Sequence, residues 1–407
     1  QPFDPSLFVD IRKRLGGKEF DKFNCILIEK SENMKPHQSR VKTKSSSKKN
    51  DNETGGTEPK NRGTLKIDAT VADQEIKYPT DLNLLNEGRE NLERIIDSLY
   101  ITGQDGVKPR TYRRKARKEF LLTSKKRRKS RKEIRRGIKG QLQYIRRDLK
   151  IVDGLLSKPG RDTILDKRDK NILKTIRQMY GQQKLMYENK THSQPNRIVN
   201  IYQPWVRPIV RGKDKNKVEF GSKIDLTEVG GFSRINHFSW EAFNEGKDLT
   251  SSVENFRKLY GRYPRYILID KIYLTRENRK YLKGKNIETF GKPLGRLPKQ
   301  VKQSPSQKYR KKKKAADRNH VEAKFGQGKR GYGMNNIKAR LQETSESMVN
   351  SIVFVMNLIK LLQIAEKCKY FSGAFFTLIK SWIIKLKNNF ISKNFSSSWK
   401  YSTDIVL

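Results

Sequence analysis

Tyr266-Ile-Leu-Ile-Asp270 is a continuous apolar run closed by an acid. A strand with one wet face alternates apolar and polar residues, so an unbroken run fits a strand buried on both faces. Covering both faces takes helices on either side of a sheet, which places the chain in the α/β class. Immediately upstream, residues 249–260 read as a helix. Before it, residues 198–202, 217–226 and 231–238 look like three strands of a meander, with Gly230-Gly231 as a hairpin turn. Earlier still, Thr64-Leu-Lys-Ile-Asp-Ala-Thr70 is short, β-prone and alternating at its start, and predicts a strand ending at or near Asp68.

Between these strands lies a helical stretch. Residues 81–100 place Leu84, Leu85, Leu92, Ile95, Ile96 and Leu99 on one side. Ile134, Ile138, Leu142, Ile145, Leu149 and Val152 recur at steps of three and four, and Pro159-Gly160 breaks that stripe. A second stripe runs through Ile164, Ile172, Leu173, Ile176, Met179 and Tyr180, so the two form a helical hairpin with a Lys/Arg-rich outer face. Downstream, residues 291–317 are rich in Pro, Lys and Gln and predict irregular chain. A helix starts near Arg318 and is expected to end at Gly326, because four glycines crowd positions 326–333. A long helix over residues 343–367 follows.

This order fits an RNase H-like core, a mixed sheet flanked by helices. It carries a basic all-helical insertion at about 108–190 within a core of residues 64–365. Residues 1–33 form a helical N-terminal fragment, in which Leu7, Phe8, Val9, Ile11 and Leu15 precede the stop at Gly16-Gly17. Residues 34–63 have almost no apolar side chains and predict a flexible linker, and residues 366–407 a helical tail. The chain opens at Gln1 rather than Met, which leaves room for a missing N-terminal part. No secretory signal is evident, and Cys25 and Cys368 read as free thiols of a reducing cytoplasm. The most apolar stretch, residues 351–365, is interrupted by Asn357, Lys360 and Gln363, and reads as a core helix, not a membrane span.

The charge narrows the function. Ninety Lys and Arg stand against 43 Asp and Glu, a formal net charge of +47. Self-repulsion on this scale opposes compaction, so a polyanionic partner is expected, nucleic acid first and an anionic membrane second. At 34% the apolar share is low against the roughly 45–50% of compact domains, a count that includes Gly. In the basic helical stretch Arg127, Arg128, Arg131, Arg135 and Arg136 are placed to track backbone phosphates; a merely solvated helix face is the plainer alternative. Trp205, Trp240, Tyr202 and Phe238 fit core packing better than base stacking, and the four histidines show no ligand spacing.

Three acids stand out by position. Asp68 closes the first expected strand, Asp270 closes the buried strand, and Glu322 lies on the late helix. Acids at strand ends of an α/β sheet sit where such folds place their sites. Three converging carboxylates would bind two divalent metals for an in-line displacement at phosphorus, with Mg²⁺, or Mn²⁺ as substitute, suiting hard oxygen ligands. Taken singly, each reads first as a structural, solvated residue, and spacing alone does not make them meet.

Four blocks then carry a resemblance. Asp68-Ala-Thr-Val71 with Tyr78-Pro-Thr-Asp-Leu82, and Gln203-Pro-Trp-Val-Arg-Pro-Ile-Val-Arg-Gly-Lys213, are the first two. Asp270-Lys-Ile-Tyr273 with Thr275-Arg-Glu-Asn-Arg279, and Val321-Glu-Ala-Lys-Phe-Gly-Gln-Gly-Lys-Arg-Gly-Tyr-Gly333, are the others. In this order they resemble the bacterial insertion-sequence transposases of the DDE type, in the group named for insertion sequence five. The resemblance implies catalytic and metal-binding roles for Asp68, Asp270 and Glu322. It implies a phosphate-holding role for Arg318, four before Glu322, and Lys329, seven after it, if the helix is unbroken. The Tyr of the related pattern around the last acid is Ala315 here. The implied enzyme cleaves DNA at insertion-sequence ends and transfers the freed strands to target DNA. It would act in a bacterial cytoplasm with the nucleoid, as a homodimer or higher assembly on double-stranded DNA. A catalytically inactive, truncated DNA-binding remnant of such an element is the first alternative. A basic RNA-binding protein is the second; it explains the charge but not the three acids.

Overall fold

The computed structural model describes residues 5–34, 60–210, 218–290 and 304–367. The expected linker lies almost wholly, and the C-terminal tail with Cys368 almost wholly, outside the described residues, as does His37. The chain divides into two compact units. One joins residues 1–73 to 222–407, and the other is the continuous stretch 74–221.

The first unit is built on a mixed sheet. Its strands are β1 (Thr64–Asp73), the later part of β3 (Val218–Val229), β4 (Phe232–Ser239), β5 (Tyr266–Leu268) and β6 (Glu288–Thr289). The order is β4-β3-β1-β5-β6. β3 and β4 form an antiparallel hairpin, with Gly230 and Gly231 both at positive φ in its turn. β1, β5 and β6 run parallel. Leu65 and Ile67 of β1 and Ile267 of β5 pack on one face with Leu249, Val253 and Phe256 of α7 (Leu249–Tyr260) and Leu282 of α8 (Arg276–Gly284). Ala72, Ile224 and Leu226 pack on the other face with Val321 of α9 (Pro305–Gly331) and Met348, Ile352 and Met356 of α10 (Gln342–Lys367). The sheet is thus the middle of three layers.

Alternation at the start of β1 does what the pleat demands: Leu65 and Ile67 go to α7, while Asp68 lies in the field of Arg318 and Glu322 on α9. The strand continues past the expected stop at Asp68 because Ala69, Thr70, Val71 and Ala72 are all buried and have sheet partners to gain. α9 likewise begins at Pro305, earlier than expected. Its Lys-, Arg- and Ala-rich first turns lack an apolar stripe but have good intrinsic helix propensity. It also runs through Gly326 and Gly328 without ending. Gly328 is needed there for packing: a Cβ would stand 3.0 Å from Met334 Cε.

α1 (Pro5–Arg14) and α2 (Gly17–Met34) lie against α10. By length and composition α10 is long and apolar enough to cross a bilayer, yet 44% of its apolar window is buried inside the molecule. Asn357, in the middle of that window, is fully buried. Its amide donates to Asn24 Oδ1 (2.8 Å) and Ser233 O (2.6 Å) and accepts from Ser233 N (2.8 Å), so α10, α2 and β4 are tied by one satisfied polar group.

The second unit is helical: α3 (Asp81–Leu99), α4 (Arg113–Ser124), α5 (Arg131–Leu156) and α6 (Lys167–Glu188). Its core takes Leu85, Leu92, Ile95 and Ile96 from α3, Ile145 and Val152 from α5, and Ile176 and Met179 from α6. Thr80, Ser130 and Asp166 cap α3, α5 and α6, and Ser130 forms a reciprocal capping box with Glu133. Residues 198–202, expected as a strand, are irregular. Ile198 and Ile201 are apolar because they plug this helical core, not because they alternate across a sheet. β2 (Arg207–Val210), antiparallel to residues 218–221 of β3, is the strand of this unit.

Candidate active site and nucleic-acid interface

The register of two parallel strands does most of the positioning. Thr64 pairs with Tyr266, Leu65 with Ile267 and Lys66 with Leu268. Continued by two residues, that register brings Asp68 level with Asp270, on chains about 4.8 Å apart where strands pair. Asp68 is half-buried within β1, and its Oδ1 accepts the Ala69 N–H at 2.9 Å. Asp270 is exposed just past β5, where Oδ1 caps a short 3₁₀ turn by accepting Lys271 N–H at 2.7 Å.

Burial pushes the Asp68 carboxyl up to about 6; the Ala69 N–H and Arg318 oppose this, and Glu245 and Glu322 add to it. Asp68, Arg318 and Glu322 are therefore electrostatic neighbours. Glu322 is exposed on α9 and paired with Arg318 at 2.8 Å, one helical turn away. Among the described residues no three His, Cys, Asp or Glu side chains are gathered closely enough to hold a metal ion. A half-buried strand acid with Glu245 and Glu322 in its field, and Asp270 level with it by register, suits a hard divalent cation. The third acid is turned to its own arginine.

Lys329 shares the helix face of Arg318 and Glu322 but serves another place. Its Nζ lies 3.8 Å from Asp73, at the far end of β1. Eleven helical residues from 318 to 329 and five strand residues from 68 to 73 both span about 16 Å, so α9 runs alongside β1 in the same sense. Arg318 accompanies Asp68, and Lys329 accompanies Asp73.

Two features had no sequence signal. Glu245, in the polar turn before α7, enters the field of Asp68 while paired with Lys223 at 2.8 Å. The second is a buried acid on β3, Asp225, which accepts the Tyr273 hydroxyl at 2.6 Å. Burial pushes Asp225 up to about 7, against the pull of that hydrogen bond. Tyr273 ends the turn that Asp270 begins, so this bond fixes the turn from beneath. Tyr273 belongs to one of the family-like blocks; its partner, 48 residues upstream, carries no local signature. The histidines are placed elsewhere: His237 stacks on Phe243 and meets Asp248 at 2.8 Å, and His320 is exposed.

In the helical unit, residues 125–132 are all exposed, and seven of these eight are Lys or Arg. Arg127 and Arg128 lie in the turn before α5 and Arg131 opens it. Arg135 is different: it is half-buried with its guanidinium 4.0 Å over the Tyr187 ring, and Lys126 is paired with Glu133. Replacing Arg127, Arg128 and Arg131 together by Ala should weaken duplex DNA binding and flatten its salt dependence by about 0.9 in slope per phosphate lost. Fluorescence anisotropy across a salt series reads this, and an unchanged slope would leave the run as a solvated face.

Residues 267–359 match the family model described as Transposase DDE domain. The match runs from within β5 to within α10, less than a quarter of the chain. It contains Asp270, Arg318, Glu322 and Lys329, does not reach Asp68, and supports a DDE transposase. Neither the curated proteins nor the solved structures hold a match to the chain.

Proposed function

We propose that this chain is an insertion-sequence transposase of RNase H-like fold that cleaves DNA at its element's ends and joins the freed 3′ hydroxyls to target DNA. The observation that carries it is the shared level of Asp68 and Asp270 on neighbouring parallel strands, within the unit that holds the matched segment. The strand order β4-β3-β1-β5-β6, with an antiparallel hairpin on one side and parallel strands on the other, supports the RNase H-like assignment. The four sequence blocks support the insertion-sequence-five group.

Asp68 and Asp270 would hold Mg²⁺ or Mn²⁺, and Glu322 would join them on leaving Arg318. When bound, such a metal pair activates the attacking oxygen and steadies the leaving one. The chain's own groups supply position. The Ala69 N–H orients Asp68, the Lys271 N–H orients Asp270, and the Tyr273–Asp225 bond holds the turn that carries it. Arg318, freed of Glu322, would hold a DNA phosphate beside the two acids; Lys329 would hold one further along β1. Double-stranded DNA is the partner, a homodimer or higher assembly brings two ends together, and the nucleoid of a bacterial cytoplasm is the setting.

The Arg318–Glu322 pair also favours a second reading, an inactive DNA-binding remnant whose third acid is no longer available. Labelled linear DNA bearing the element's own end, incubated with Mg²⁺ or Mn²⁺, separates the two. Metal-dependent nicking at the end supports the transposase. Binding without nicking in either metal supports the remnant.

A further inference from the structure

A cavity of about 280 Å³ lies among α9, α10 and the β3–β4 turn, on the first unit and apart from the strand acids. Glu228, Gly231, His320, Lys324, Gln327 and Lys360 give it its polar lining. We propose that it is a phosphate-binding site, and that the phosphate it takes is a backbone phosphodiester of a DNA strand. The DNA half of this rests on the transposase reading; the phosphate half does not.

Charge balance points to an anion. Glu228 is already served: Lys66 Nζ stands 2.5 Å from one carboxylate oxygen, and the other accepts the Gly231 N–H at 2.5 Å. One cation therefore matches one anion. Lys324 and Lys360 remain, and among the described residues neither reaches a carboxylate at ion-pair distance. Lys324 makes only a long contact to Gln327 Oε1, at 3.4 Å. Lys324 is half-buried, and Lys360 lines the same cavity from the facing helix. A partly buried pair of like charges opposes folding unless an anion offsets it.

Gly231 is part of the design. It sits at φ +94°, and Lys360 Nζ lies 3.1 Å from where its Cβ would be, so any side chain would push Lys360 out of the cavity. The plainer alternative is that both lysines lay their stems on Met356 and Ile359 and keep their heads in water.

The lining also continues. A neighbouring cleft of about 560 Å³ shares His320 and adds Arg62, Lys66 and Arg262 around Gly230. Arg262 Nε is buried there without a hydrogen-bond partner. Glu32 and Asp317 also border this cleft, and Asp317 is paired with Lys314 at 3.8 Å. A basic tract that bends around a hairpin tip suits a chain of phosphates better than one free anion.

The test compares wild type with Lys324→Gln/Lys360→Gln, and with Lys18→Gln/Lys22→Gln, both exposed on α2, as a matched charge change. Anisotropy of a labelled duplex is measured over a KCl series in EDTA, and the melting temperature with and without inorganic phosphate. The expected result is a salt slope smaller by about 0.9 for the cavity pair alone. Phosphate should raise the melting temperature of wild type and the α2 control but not of the cavity variant. Without phosphate the cavity variant should melt no lower than wild type, since it loses a repulsion. An equal fall in slope for both variants, or no fall in either, overturns the DNA half. No phosphate protection of wild type overturns the site. If wild type itself fails to bind the duplex, the transposase reading has failed first, and the phosphate arm still judges the cavity.

Discussion

On the proposed transposase reading, Asp270→Ala is expected to lower metal-dependent end cleavage by at least about a thousandfold while the protein keeps its fold. The size follows from the proposed role: losing a metal ligand would remove several kcal/mol of transition-state stabilisation, and each 1.4 kcal/mol is tenfold in rate. The structural cost is small because Asp270 is exposed and its carboxylate only caps the turn at Lys271, a loss of about 1 kcal/mol. Single-turnover nicking of an end-labelled duplex, beside thermal melting of the same samples, makes the comparison. Residual cutting within about tenfold of wild type, with an unchanged melting temperature, would remove Asp270 from the site. Loss of cutting together with a collapsed melting temperature would show that the turn, not the carboxylate, was what mattered.

The second large effect lies in the helical unit and concerns stability. Asp148 of α5 is fully buried, and neither carboxylate oxygen has a hydrogen-bond partner. Burial pushes it up to about 7 and Glu93 adds to this, while Arg89, Arg147 and Arg113 pull it down. In the unfolded chain an aspartate titrates at about 3.9. A folded value above the unfolded one means that the folded state keeps its proton longer. Stability is then fully present below about pH 4 and is lost as pH rises toward 7. Ionising the buried group costs roughly 4 kcal/mol at the most, an upper figure since Glu93 shares the same burial. Asp148→Asn keeps the shape and cannot ionise. Its gain in urea stability, followed by helix signal, should be about 2–4 kcal/mol at pH 8 and near zero at pH 4. An equal effect at both values would mean that the buried acid is not titrating.

Much of the fold was legible wherever burial leaves a one-dimensional trace. Tyr266-Ile-Leu-Ile-Asp270 showed a strand because both of its faces are covered, and α3 showed its apolar side at helical spacing. The polar interruptions of the late apolar stretch were visible, but their purposes were not. Asn357 binds Ser233 and Asn24, far away in sequence, and Lys360 reaches a cavity. Errors came where apolar residues serve a partner of another kind. Ile198 and Ile201 lie in a β-prone run but fill a helical core, and Gly328 of α9 looks like part of a stop signal but makes room for Met334. At the site, Asp68 and Asp270 could be named from their strands. What could not be read was their common level, which needs the register, or the presence of Glu245 and Asp225, which only the folded sheet brings near.

The pairing of β1 with β5 joins residues about two hundred positions apart, while the helical unit between them is one uninterrupted stretch. On a ribosome adding roughly 5–20 residues per second, β1 emerges about 10–40 s before its parallel partner exists. The whole sequence of the helical unit, residues 74–221, is made within that interval. Contacts of such long range are slow to form in any case, so the sheet is the late event and the basic bundle the early one. During the wait β1 is an unpaired, largely apolar edge, the kind of segment that recruits other strands. Lys66 and Asp68, spaced along one side of it, are then the charges that discourage such recruitment, before either has its place in the finished sheet.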